Sequence, residues 1–314
     1  MVYLDDSIMQ KGCICSAGSK ILENFKAPFD ATVISRISET ALAEKTERIK
    51  LGEFGLACPG QLPVLASMSA LLCNDVFGFI RRKAAEQGFC YIRPTYGTVS
   101  RYGLIPTASS MDQIGIVCKT PAEAFSFLPL IAGHDEKDGV MFPEKNYNYK
   151  TGNTGSQAKE IKTGTFEDYA ELGKQVLNIL AFAEISNNIS RYDGIKFGYR
   201  TANYKNLDEL YTKTRTEAFG PEAKLAIIMG SLILSEDYYK KYYEKAMKIR
   251  RLIKESLALR LKEYNVISIA IDNPAAVLAG HPSLSFLHNG KPVQLVADVK
   301  KENDLLTAWE AEYT

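Results

Sequence analysis

No stretch of this sequence is apolar for long enough to cross a bilayer. The longest runs, 225–234 and 266–271, fall far short of the roughly 20 residues a membrane helix needs. Charge of one sign is scarce too. Lys and Arg total 38 against 37 Asp and Glu, so composition makes no electrostatic case for nucleic acid or a membrane surface as partner. Met1 is followed by Val-Tyr-Leu-Asp-Asp, without the basic and apolar regions of a secretory leader, which suits a cytoplasmic protein. The six cysteines (13, 15, 58, 73, 90 and 118) include a C-x-C but no C-x-x-C, and no histidine pair lies near them. That pattern excludes a tetrahedral metal site and reads as buried free thiols in a reducing compartment. No cofactor motif is present either. Gly152-Asn-Thr-Gly155-Ser resembles a phosphate loop only superficially, since it lacks the lysine and a preceding strand. His134, His281 and His288 sit in Gly/Pro-flanked contexts with no G-x-S-x-G beside them, which leaves a Ser-His-Asp relay unsupported. Asn188-Ile-Ser190 is a glycosylation sequon in form only, given the cytoplasmic setting.

What is present is a chain of 314 residues, 46% of them hydrophobic, enough for one large domain with a sizeable core. The pattern predicts a helix near 29–43 and a helical stretch over 60–73. Short apolar strands with tight turns are predicted from 88 to 118, and a helix opening at Thr120-Pro121 with Glu123. Residues 134–165 are polar, without apolar period, and read as a linker or surface segment. Helix returns over 166–190. A long helix then starts at Ser235, its buried stripe formed by Tyr239, Tyr242, Ala246, Ile249, Ile253, Leu257 and Leu261. Lys240, Lys241, Lys245 and Lys248 lie off that stripe, as a solvated face or, less economically, an RNA patch. Asp5 and Asp6 are adjacent carboxylates, which a strand would point to opposite faces. Helices alternating with strands give an α/β class.

One run is far more specific. Residues 92–115 read IRPTYGTVSRYGLIPTASSMDQIG. They closely resemble the K-P-T-Y-G-x-V-S-R-Y-G-L-x-x-x-A-S-S-L-D-Q-I-G run of amidase signature enzymes, in the form found in the A subunit of the glutamyl-tRNA(Gln)/aspartyl-tRNA(Asn) amidotransferase. SKILENF at 19–25, FDATV at 29–33, AEISNNISRYDGIKFG at 183–198, KTRTEAFG at 213–220, KAMKIRR at 245–251 and VLAGHP at 277–282 resemble further family runs in family order. The resemblance implies an amidase signature fold, a large mixed β-sheet sandwiched between helices, as one domain over 1–314 with residues 92–115 near its centre. Within that run Tyr96, Gly97, Ser100, Arg101, Tyr102, Gly103, Ser109, Ser110, Asp112 and Gln113 are expected to serve packing. Gly97, Gly103 and Gly115 suit turns, and Arg101 and Asp112 suit buried ion pairs.

The family's hydrolytic site joins a nucleophilic serine, a second serine in a cis peptide and a lysine. Glycine N–H groups there face the developing oxyanion. The lysine belongs to an I-K-D-N-I motif, whereas residues 4–8 read LDDSI, so Asp5 stands in its place. A carboxylate does not replace an ammonium as proton donor and repels an oxyanion. The bridging serine belongs to P-G-G-S-S-G-G-S, but Pro59-Gly60 runs straight into Gln61-Leu62-Pro63, so that loop is deleted after Gly60. The nucleophile belongs to D-T-G-G-S-[VI]-R, and residues 75–81 read DVFGFIR. Phe79 takes the nucleophile's position, while Val76 and Phe77 replace a threonine and a glycine of the oxyanion turn. Two rings there are expected to fill the old pocket.

Arg215 matches a family arginine that resembles a carboxylate binder; a surface or helix-capping cation is the equal alternative. The acidic residue expected to hold the substrate's amino group has no counterpart around Asp272-Asn273-Pro274. Three functions stay open on these residues. One is a non-catalytic homologue that works by binding, paired with a B-like or C-like amidotransferase component or a paralogue, and meeting tRNA only indirectly. The second is an amidase with replaced catalytic residues among Asp5, Asp6, Ser7 and Ser67. The third is a shortened product without a selected role.

Overall fold

A computed structural model of the chain describes residues 1–40, 46–150 and 161–313. Nine strands form one mixed sheet: β1 (Val2–Asp5), β2 (Thr46–Ile49), β3 (Ala70–Asn74), β4 (Cys90–Arg93), β5 (Ile114–Cys118), β6 (Thr163–Thr165), β7 (Val266–Ile269), β8 (Ser283–His288) and β9 (Lys291–Ala297). Their order is β2-β1-β3-β5-β4-β8-β9-β7-β6. β1 runs parallel to β2 and β3, and β6 parallel to β7, while the remaining pairs are antiparallel. The central strands β3, β4 and β5 are buried on both faces, so they read as continuous apolar runs.

Helices cover both faces, as the family resemblance implies. α1 (Thr32–Ser38), α3 (Pro121–Ile131) and α10 (Glu302–Glu312) pack a core with Leu4, Leu72, Ile92, Ile116 and Leu284. On the opposite face lie α2 (Phe79–Glu86), α4 (Ala170–Asn188), α5 (Leu207–Ala218), α6 (Pro221–Leu234), α8 (Lys245–Glu263) and the short α9 (Ala275–Ala279). A single helical turn, α7 (Glu236–Tyr238), and a π-helical turn, Tyr239–Glu244, lead into α8. No helix among the described residues is long and apolar enough to cross a membrane.

Several sequence expectations need correction. Residues 60–73 are not helical; 61–69 run irregularly and Ala70–Asn74 is β3. Proline at 59 and 63 removes backbone donors, and a short apolar run in a buried strand has the same pattern as a buried helix. The helix expected at 29–43 is confined to Thr32–Ser38, and residues 41–45 lie outside the described ones. The stripe of the long helix is buried at Ala246, Ile253, Leu257 and Leu261, but Tyr239 and Tyr242 are exposed. The π turn adds a residue and rotates the helix ahead of it.

The polar segment at 134–165 is tied down over its first part. Arg36 donates to the carbonyls of Ile131, Gly133 and His134, and Phe142 N–H donates to Gly97 O. The phosphate-loop look-alike at 152–156 lies outside the described residues. Cys15, Cys73, Cys90 and Cys118 are buried free thiols, as expected, while Cys58 is exposed. Asn188 is buried and committed to Thr107 O, which leaves no room for a glycan.

Candidate functional site

β3 ends at Asn74, and the next turn delivers the chain into α2. Gly78 occupies the N-cap with φ +82 and has no side chain to offer. Asp75 does that work from outside the helix, accepting from Ile80 N (3.0 Å) and Arg81 N (3.3 Å). Its carboxylate also pairs with Arg81 Nη1 at 3.3 Å, both side chains being buried, while Arg81 Nε donates to Ile271 O at 2.9 Å. A Cβ on Gly78 would stand 2.6 Å from the Arg81 guanidinium, so glycine is required for space as well as for φ.

Inside this polar frame the turn is apolar. Val76 is buried, and the Phe77 and Phe79 rings stack with centroids 6.1 Å apart. Phe77 also meets Phe182 of α4 at 6.3 Å, and the Arg82 guanidinium lies 5.2 Å above Phe79.

Asp5, at the end of β1, is buried and accepts a 2.6 Å bond from Ser7 Oγ. Burial pushes its carboxyl up to about 7; the Ser7 bond opposes this and the charge of Asp6 adds to it. Asp6 lies past the end of β1, in a turn, and accepts from Ser16 Oγ, Ser16 N and Gly18 N. Beyond Gly60 the chain runs beside the end of α2, where Gln87 bonds both the N–H and the carbonyl of Leu62. Ser67 is exposed and donates to Glu123 of α3, so it does not join Asp5, Asp6 and Ser7.

The 92–115 run forms a second turn against the first. Asn74 joins them: its Nδ2 donates to Asp112 Oδ1 at 2.7 Å, and its Oδ1 accepts from Gln113 N at 3.1 Å. Asp112 also accepts from Thr107 N and Ala108 N, both at 3.0 Å. Its predicted ion pair with an arginine is absent because neutral donors already satisfy both oxygens. Burial raises the pKa of Asp112, against those bonds. Arg101 pairs instead with Asp138, through Nη2–Oδ1 at 2.7 Å and Nε–Oδ2 at 2.9 Å. Burial opposes the charge on Asp138, but the Arg101 bonds outweigh it and hold the carboxyl below its usual range.

Three arginines, two of them from β4 and α8, grip three successive carbonyls of this turn. Arg101 donates to Ser109 O, Arg250 of α8 to Ser110 O and Arg93 of β4 to Met111 O. Glu184 of α4 takes both N–H and O–H of Ser110, and Arg250 Nη1 also bonds the Ser110 hydroxyl. Tyr96 O–H donates to Ser109 O, Gly97 N–H to Gln113 Oε1, and Ser100 O–H to Asp135. Tyr102 stacks on Phe29 at 4.8 Å. Gly97 and Gly103 both have positive φ, and a Cβ on Gly97 would stand 2.6 Å from Val140 O. Glu184 and Asn188 lie in the family-like run at 183–198 and Arg250 in that at 245–251, but only the fold shows that these runs meet a turn so distant in the chain.

Arg215 does not share this ground. It donates from α5 to Ile189 O and Tyr192 O beyond the end of α4, and stands over the Phe219 ring at 4.8 Å. It therefore acts as a cap, while also lining a groove of ≈ 280 Å³. The clefts on either side of the Ser109–Ser110 turn measure ≈ 180 and ≈ 310 Å³. Another, of ≈ 250 Å³, lies between α4 and α8. None of these four is lined by Asp5, Ser7, Phe77 or Phe79. Among the described residues no cluster of His, Cys, Asp or Glu could hold a metal ion. His281 is buried with its Nδ1 on Ala297 O, and His134 Nδ1 lies on Phe142 O; neither stands beside a hydroxyl nucleophile.

Comparison with known proteins adds the following. The family described as Amidase matches residues 66–175 and 154–301. The glutamyl-tRNA(Gln) amidotransferase A subunit of Lachnoclostridium phytofermentans is 34% identical over 334 residues, covering 88% of this chain and 67% of that protein. Its counterpart from Lachnospira eligens is 31% identical, covering 97% and 82%. Several such relatives are matched over only about two thirds of their own length. The crystal structure of the glutamyl-tRNA(Gln) amidotransferase A subunit from Thermotoga maritima aligns with a TM-score of 0.65 at 24% identity, over 99% of this chain and 83% of that one.

Proposed function

This chain belongs to the Amidase family, and from that premise we propose that it is a non-catalytic, single-domain homologue of the amidotransferase A subunit that acts by binding. The observation that carries this reading is the turn between β3 and α2. Its frame of Asp75, Gly78 and Arg81 suits the family turn, yet Phe79 stands at the position implied for the nucleophile and stacks on Phe77. Loss of a serine hydrolase nucleophile alone costs on the order of 10⁶ in turnover. Asp5, at the position implied for the lysine, supports the same reading, because a buried carboxyl cannot supply an ammonium's charge. A B-like or C-like amidotransferase component, or an active paralogue, is the expected partner, in the cytoplasm, with tRNA reached only through that partner.

The test is glutaminase and general amidase turnover by the purified chain beside a Phe79→Ser/Asp5→Lys double variant. Both are expected to be inactive, the variant because the loop after Gly60 is still missing. Turnover by the wild type that is lost on Asp5→Asn or Ser7→Ala would replace this reading with a rebuilt catalytic site around the 2.6 Å Ser7–Asp5 contact.

A further inference from the structure

The larger of the two clefts beside the Ser109–Ser110 turn carries charge of one sign on its walls. α8 supplies Arg250, Arg251 and Lys254, while Met247, Leu278 and the Tyr96 ring give it an apolar side. The three cations differ in what already holds them. Arg251 is spent on Glu255, Nε to Oε1 at 2.7 Å. Lys254 is exposed, and its ammonium has no hydrogen bond or ion pair among the described residues. Arg250 is partly buried, and its three bonds all go to neutral oxygens. Nε donates to Leu278 O at 2.7 Å, Nη1 to Ser110 Oγ at 2.7 Å and Nη2 to Ser110 O at 2.9 Å. One N–H on each Nη is left over.

Carboxylates stand around the cleft, but none lines it. Glu184 gives both oxygens to Ser110 and reaches Arg250 only through the hydroxyl they share. Glu244 lies one turn ahead of Met247, and Asp298 stands 3.8 Å from His281 Nδ1. These acids offset the cations from further out, where distance and solvent weaken their effect. A guest in the cleft touches the cations directly.

We propose that this cleft binds a small organic acid. Its carboxylate meets the unspent N–H groups of Arg250 and the ammonium of Lys254. Its body, apolar or aromatic, lies against Tyr96, Met247 and Leu278. The cleft measures ≈ 310 Å³, at the small end of the range for small-molecule sites. A carboxylate suits these donors better than a phosphate does. Its two oxygens match one guanidinium and one ammonium, whereas a phosphate brings more charge and a further oxygen to the same few donors. No residue of the β3–α2 turn lines the cleft, so the proposal stands whether or not the chain is catalytic.

The probe is phenylacetate, and phenylacetamide, the same shape without the charge, is its control. Each is titrated into the full chain and read by calorimetry. Phenylacetate is expected to bind saturably with a Kd of about 1 mM or tighter, and the amide at least about tenfold more weakly. Lys254→Glu should weaken the acid at least about fivefold and leave the amide unchanged. Met247→Trp, which fills the apolar side from an exposed position, should weaken both. Lys240→Glu, at an equally exposed lysine that lines none of the four clefts, should change neither. Equal binding of acid and amide, no saturable binding of the acid, or equal loss from Lys254→Glu and Lys240→Glu would overturn the proposal. Phenyl phosphate binding as tightly as phenylacetate would overturn the choice of a carboxylate.

Discussion

Two turns meet at Asn74, and they are built on opposite terms. The 107–112 turn is held by polar contacts: while Ala108 and Met111 enter the core, its carbonyls, amides and the Ser110 hydroxyl meet donors and acceptors from β4, α4 and α8. The 75–78 turn and the start of α2 keep a polar rim, Asp75 and Arg81, around an aromatic centre, Phe77 and Phe79. The rim and the whole of the first turn answer to burial: a carbonyl or carboxylate out of water needs a partner whether or not chemistry happens nearby. The centre of the second turn answers to nothing of the kind, since two rings need only neighbours. Motif-like sequence in a buried turn is thus evidence of a satisfied network before it is evidence of a reaction.

That contrast can be broken by experiment. Asp112→Ala leaves two buried backbone N–H groups and the Asn74 amide without an acceptor, and should cost about 3–5 kcal/mol in urea unfolding. Asp5→Asn should act in the other direction and only at higher pH. The Asp5 carboxyl stays protonated to about 7 in the fold and to about 4 when unfolded. Its contribution is therefore fully present below about pH 4 and lost as pH rises through 7. The variant, which keeps an acceptor for Ser7, should match the wild type at pH 4 and exceed it at pH 8 by up to about 4 kcal/mol. Thermal melts across that range decide it, and equal melting at both ends would mean the carboxyl is not held neutral. The smallest effect belongs to Phe79→Ser. The ring is only partly buried, so a loss of about 1–2 kcal/mol is expected. A loss as large as that of Asp112→Ala would show that the aromatic centre supports the fold as much as the polar turn does.

Much of this is legible in the sequence. The α/β class, β4 and β5 with the turns between them, and the Thr120 cap of α3 all follow from local pattern, and the cap's hydroxyl does accept from Glu123 N. The family run at 92–115 holds the braced turn and two of its braces, Arg93 and Arg101, but does not show that Glu184 and Arg250 reach it. The partner of Arg101 escapes sequence reasoning because Asp138 lies in a polar segment with no period to place it. The strand at Ala70–Asn74 is hidden because burial on both faces erases alternation. The π turn leaves no mark in a stripe that counts residues at fixed spacing. Arg215 keeps two readings in sequence; its bonds to Ile189 and Tyr192 favour the cap, and the groove beside it gives the cation a second face.

The three arginines on the 107–112 turn also set a sequence of events for a chain emerging from the ribosome. Arg101 is 8 residues from its carbonyl and Arg93 is 18, but Arg250 lies 140 residues downstream of Ser110. Two grips are available as soon as the first third of the chain is out. The last waits for α8, long after β5 has been made. Until then the Ser110 carbonyl lacks its arginine, and a product that stops short of α8 never gains it. The turn thus gains its full set of donors only once the chain has been made through Arg250.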